Sequence, residues 1–144
     1  MIEVINKQRK TKIDSESWRD FAAQVSKTVP QADGKTFTIV FVSDKKMREL
    51  NKTFRQKDAT TDVLSFPNER DEFDFDETAN FLGEIVISVA QAEKQSKENG
   101  LTFELEIKQL ILHGVLHLCD YDHATDDGEM NRIEMKYREK LVIS

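Results

Sequence analysis

The sequence predicts one α+β domain spanning residues 1–144. Short runs rich in β-branched and aromatic residues predict strands, and stretches with apolar residues at i, i+3, i+4 and i+7 predict amphipathic helices. Strands and helices mix, with the helices bunched toward the C-terminal end, which reads as α+β in one domain. At 144 residues the chain has room for one sizeable core. A small mixed sheet packed with several helices is therefore expected.

"IEVIN" at 2–6 reads as a short strand. "DSESWRDFAAQVSKTV" (14–29) places Trp18, Phe21, Ala22 and Val25 on one helical face, and Pro30 with Asp33-Gly34 then breaks the chain. "KTFTIVFV" (35–42) is a strand. Ser43 caps a helix to about Phe54, with Met47, Leu50 and Phe54 expected to face the core. "TDVLSFP" (61–67) reads as a strand ended by Pro67, "NERDEFDFDETAN" (68–80) as an acidic loop, and "FLGEIVIS" (81–88) as a further strand. Ser88 with Gln91 forms a capping box for the next helix, which Gly100 ends. Thr102 caps a long apolar helix to about Leu118, and a last helix, "GEMNRIEMKYREKLV", is expected to bury Met130, Ile133, Tyr137 and Leu141.

No apolar run reaches membrane-spanning length, and "MIEVINKQRK" lacks the order of a signal peptide, so a cytoplasmic protein without membrane contact is expected. A single cysteine, Cys119, excludes an internal disulfide framework and suits a reducing compartment. The net charge of −6 argues against non-specific nucleic-acid binding by the whole surface, but leaves room for a local basic groove. Residues 44–58 hold Lys45, Lys46, Arg48, Lys52, Arg55 and Lys57 against one internal acid, Glu49. That cluster reads equally as an RNA track or as a solvated helix face.

All three histidines fall within "HGVLHLCDYDH", at positions 1, 5 and 11 of the segment. His113 and His117 share a helical face, about 6 Å apart, where two imidazoles can chelate one metal ion. His123 lies past the expected helix end, where a chain reversal would return it to the pair. Three neutral imidazoles leave a fourth position open for water, the layout of a catalytic zinc site at the end of a central helix. The same spacing occurs in extended zinc-protease motifs, but those carry Glu after the first histidine, where this chain has Gly114. Peptide hydrolysis by that scheme therefore lacks its general base.

"HGVLHLCDYDH", together with "FRQKDATTDVLSFP" (54–67), "LGEIVIS" (82–88) and the later "EM" and "IE" pairs, resembles the bacterial YbeY endoribonucleases. That family shows H-G-x-L-H-L-x-G-Y-D-H and, upstream, Y-R-G-K-D-x-x-T-[DN]-V-L-S-F-P. The likeness runs from about Leu50 to Glu134. It implies a metal-dependent endoribonuclease specific for single-stranded RNA, acting in 16S ribosomal RNA 3′-end maturation and ribosome quality control. The implied partners are ribosomal RNA precursors and ribosomal subunits. The resemblance puts the ligands of one Zn2+ on His113, His117 and His123, and the family's arginine on Arg55. Gln56 and Asp120 stand where the family has glycine, departures expected to weaken geometry rather than identity.

A guanidinium clamps phosphate oxygens through paired hydrogen bonds, the catalytic role expected of Arg55. Asp122 either orients a histidine or caps the turn, Cys119 is left out of the ligand set, and Asp62 and Ser65 are further polar candidates near the site. Two alternatives stand beside the nuclease: a non-catalytic ribosome assembly factor with a structural zinc, and a metallohydrolase of another substrate class such as a peptidase.

Overall fold

The computed structural model describes residues 2–68, 80–119 and 129–141. Four strands, β1 (Glu3–Asn6), β2 (Thr36–Val42), β3 (Val63–Pro67) and β4 (Phe81–Ser88), form one sheet in the order β1-β2-β4-β3. β1 and β4 flank β2 in parallel, while β3 pairs antiparallel with β4. The helices are α1 (Ser15–Thr28), α2 (Asp44–Arg55), α3 (Val89–Glu98), α4 (Phe103–Leu118) and α5 (Glu129–Leu141), with a 3-10 turn at Pro30–Ala32. The chain is thus a small α+β domain, and its strands and helices fall where the sequence places them. Met130 falls within α5, but its expected burial concerns a side chain outside the description, and the acidic stretch at 69–79 lies outside the described residues.

Strand side chains alternate between faces, so the sheet divides its apolar residues between two layers. Phe37, Ile39, Phe41, Ile85 and Ile87 face α1, α3 and α4 in the main core, which also takes Trp18, Phe21, Val25, Ile111 and Leu112. Val40, Val42, Leu64 and Val86 face the other way and receive Met47 of α2. β2 and β4, covered on both sides, carry the near-continuous apolar runs this burial demands.

Side-chain caps begin the helices as expected. Ser17 N–H donates to Asp14 Oδ1 (3.2 Å), Lys46 N–H to Ser43 Oγ (3.2 Å), Gln91 N–H to Ser88 Oγ (3.3 Å) and Leu105 N–H to Thr102 Oγ1 (3.1 Å). The capping box at Ser88 is only half made. Its backbone N–H donates to Asp62 O (2.9 Å), and the Gln91 amide turns instead to Asp44 Oδ2 (3.3 Å).

One core assignment is corrected. Met47 is fully buried and Leu50 partly so, but Phe54 is 59% exposed. Phe54 lies in the last turn of α2 and packs on Phe66 of the edge strand β3, ring to ring at 5.2 Å. In α5, Tyr137 is buried, with Ile133 and Leu141 partly buried against the main core. None of the described helices is long and apolar enough to cross a membrane.

Candidate metal centre

α4 carries the histidines because it is apolar almost all round: Ile107, Leu110, Ile111, Leu112, Val115, Leu116 and Leu118 are all buried. His113 and His117 occupy its one half-buried polar stripe, four residues apart. Two glycines let this helix lie hard against the sheet. A Cβ at Gly114 would meet Ile85 Cγ2 at 2.8 Å. At Gly83, where φ is 137°, a Cβ would meet Phe66 O at 2.2 Å and Leu118 Cδ2 at 3.0 Å. The end of α4 is thereby fixed beside β4 and the edge strand β3.

The imidazoles stand edge to face, centroids 4.4 Å apart, with His117 Nε2 and His113 Nε2 separated by 2.9 Å. Two ring nitrogens at that distance need a shared proton or a metal ion between them. Tetrahedral zinc with bonds of about 2.0–2.1 Å puts its nitrogen ligands about 3.3 Å apart, which small side-chain rotations reach from here. The donor set suits the ion as well, since neutral imidazole is a favoured zinc ligand. On the far side of the first ring, His113 Nδ1 lies 3.1 Å from Glu134 Oε1 of α5.

The third expected ligand, His123, lies outside the described residues, as do Asp120 and Asp122. Among the described residues no group of three or more His, Cys, Asp or Glu side chains is arranged to hold a metal. Cys119 caps the end of α4, its N–H bonded to Val115 O (3.0 Å) and Leu116 O (3.1 Å).

Arg55 ends α2 and is exposed. α2 and α4 pack on opposite faces of the sheet, so Arg55 and the histidine pair do not share a face. What they share is an edge: Phe54 beside Arg55 packs on Phe66 of β3, and Val63 of β3 packs into the core that α4 helps form. Gln56 takes the left-handed conformation (φ 55°, ψ 33°), its N–H bonded to Lys52 O (3.1 Å), so the helix end forms although glycine is absent. The six cations of 44–58 are all exposed, with Lys46 paired to Glu49 (4.0 Å) and Arg48 to Asp58 (2.9 Å). The hydrogen bond from Arg48, followed by its charge, holds the Asp58 carboxyl below its ordinary range.

Asp62 begins β3, accepting from Val63 N–H (2.8 Å) and Thr61 Oγ1 (3.2 Å). Ser65 is half-buried on β3 opposite Ile85, on the α4 face of the sheet. Glu134 is the site residue that sequence reasoning left without a role. Its signal was a carboxylate set among Ile133, Tyr137 and Leu141, the apolar stripe of the last helix, where charge is rare without a partner.

Comparison with known proteins agrees with the motifs. The sequence profile of the family described as Endoribonuclease YbeY matches residues 3–143. Endoribonuclease YbeY of Solibacter usitatus is 43% identical over 121 residues, covering 84% of this chain and 75% of that protein. Endoribonuclease YbeY of Thermodesulfovibrio yellowstonii is 35% identical over 157 residues, covering 97% and 96%. The solution structure of TM1509 from Thermotoga maritima superposes with a TM-score of 0.66 at 29% identity, covering 98% of this chain and 89% of that one. With the two diagnostic segments in order, and a match along nearly the whole length, the chain belongs to the YbeY endoribonuclease family.

Proposed function

We propose that the chain is a cytoplasmic, zinc-dependent endoribonuclease specific for single-stranded RNA, one Zn2+ per chain, acting in 16S ribosomal RNA 3′-end maturation and ribosome quality control. Ribosomal RNA precursors and ribosomal subunits are its partners in this reading. The observation that carries it is the pair of Nε2 atoms, 2.9 Å apart, offered by α4 beside the edge strand β3. His113 and His117 would hold the metal, with His123 as third ligand. When bound, zinc supplies Lewis acidity toward a phosphoryl oxygen.

The chain's own groups do the remaining work. Arg55 clamps the phosphate from the other side of β3, meeting the charge that builds during cleavage. Exposed Lys45, Lys52 and Lys57 provide a cationic approach for the backbone of the strand. Against a peptidase of the extended zinc-protease type stands position 114, where that scheme needs its general base and where a Cβ would meet Ile85 Cγ2 at 2.8 Å.

The deciding test is cleavage of end-labelled single-stranded RNA by zinc-loaded protein, run beside chelator-treated protein and His117→Ala. Cuts confined to the loaded wild type are expected, with Arg55→Ala slower at unchanged zinc content. Intact RNA in every lane, or equal cutting in every lane, removes the nuclease assignment and leaves the structural-zinc assembly factor.

A further inference from the structure

Glu134 is 8% exposed, on a helix that docks through apolar contacts and one further polar one. Tyr137 is buried, Ile133 and Leu141 pack on the main core, and Arg138 Nη2 donates to Gln109 Oε1 of α4 at 3.3 Å. The Glu134 carboxylate is thus fixed in space by α5 rather than carried on a loop. It meets the ring nitrogen of His113 that faces away from His117.

We propose that Glu134 is a positioning residue for metal uptake, holding the His113 ring with its Nε2 turned toward His117 Nε2 and the metal position between them, so that docking of α5 and loading of the site are one coupled event. The proposal rests on the reading of His113 and His117 as ligands. An ionised carboxylate only accepts, so a ring proton on Nδ1 is favoured there and Nε2 is left as the acceptor nitrogen that faces His117. An unheld imidazole divides its time between two tautomers and several ring rotations. Its apparent affinity falls by the fraction of time spent in the competent one. Fixing the ring also raises its basicity toward the metal, and losing such a partner typically costs about 10–100-fold in metal affinity. Linkage makes the effect reciprocal: whatever factor Glu134 adds to zinc binding, bound zinc returns to the docking of α5.

The test uses the full chain in four forms: wild type, Glu134→Leu, Glu134→Gln and His117→Ala. Glu134→Leu fills the apolar stripe but removes the acceptor, leaving the His113 ring without its carboxylate. Glu134→Gln keeps an uncharged acceptor of the same shape. Zinc affinity is read by competition with a chromogenic chelator, and α5 docking by amide hydrogen exchange with and without zinc. Zinc binding about 10–100-fold weaker in Glu134→Leu, with partial recovery in Glu134→Gln, is expected. Zinc should slow exchange in α5 of the wild type and leave that of Glu134→Leu and His117→Ala unchanged. Wild-type affinity in Glu134→Leu overturns the proposal and leaves Glu134 as a mere anchor for the helix. Should the leucine variant fail to fold, unchanged affinity in Glu134→Gln overturns it equally. A wild type that binds no zinc removes the ligand assignment itself, an outcome distinguishable because it does not depend on residue 134.

Discussion

Gln56 ends α2 at φ 55° and ψ 33°, a conformation that costs a non-glycine residue about 1–2 kcal/mol. Glycine would relieve that strain but gives back about 0.5–1 kcal/mol through its more flexible unfolded chain. Gln56→Gly is therefore expected to stabilise the protein by about 0.5–1 kcal/mol, read as a higher urea midpoint at unchanged slope. Gly114 presents the opposite case, a glycine kept for space. Gly114→Ala forces its Cβ to within 2.8 Å of Ile85 Cγ2 in a core with no slack, at an expected cost of about 1–3 kcal/mol in the same assay. At this scale the sequence was legible where function is local. His113 and His117 share a turn of one helix, so their spacing alone brought them together. Glu134 lies 21 residues further on, and no local pattern states that α5 folds back to put its carboxylate on His113.

Elements are joined at their ends by a small set of carboxylates. Asp44, in the first turn of α2, accepts from the Thr60 hydroxyl, from Ser88 Oγ (3.0 Å) and from Gln91 Nε2 (3.3 Å). It thereby binds the start of α3 and the approach to β3 to one helix terminus, where the dipole favours negative charge. The capping box at Ser88 is half made because Asp62 O takes the Ser88 N–H and Asp44 takes the Gln91 amide, two partners far off in the sequence. Phe54 failed as a core residue for a related reason, since helical periodicity gives the face but not where the partner sheet ends. At the start of α1, Asp14 accepts from the Ser17 hydroxyl (2.7 Å) and N–H (3.2 Å), which lowers its carboxyl below the ordinary 3.8. A folded-state pKa below the unfolded one means the cap's electrostatic contribution is fully present above the ordinary value. It is lost as pH falls through the lowered one. Asp14→Asn keeps a capping oxygen but cannot titrate. Urea unfolding should find the wild type losing stability relative to Asp14→Asn as the pH drops through that window, and the difference between them constant from there to neutrality.

Across the molecule, the sheet places the histidine pair on one face and the basic end of α2 on the other, with β3 as the edge strand between them. The fold was legible because each strand and helix carries its own periodicity, whereas this division required the sheet order β1-β2-β4-β3, which no single segment encodes. The arrangement also sets what a metal does to the whole. His113 is gripped by α5, and α4 is packed against β3 and β4, so an ion on His113 and His117 ties the C-terminal helix to the main core. Because the unfolded chain offers no preformed pair, binding free energy becomes folding free energy. Zinc at about a hundred times its dissociation constant should contribute about 2.7 kcal/mol, and a domain of this size gains about 2–4 °C per kcal/mol. The thermal midpoint of zinc-loaded protein is accordingly expected to lie about 5–10 °C above that of chelator-treated protein, with zinc restoring it after the chelator is dialysed away. His117→Ala should show no such shift. A midpoint equally indifferent to zinc in the wild type would mean that the 2.9 Å approach of the two rings is closed by a proton alone, and the metal would then have to be sought elsewhere on the chain.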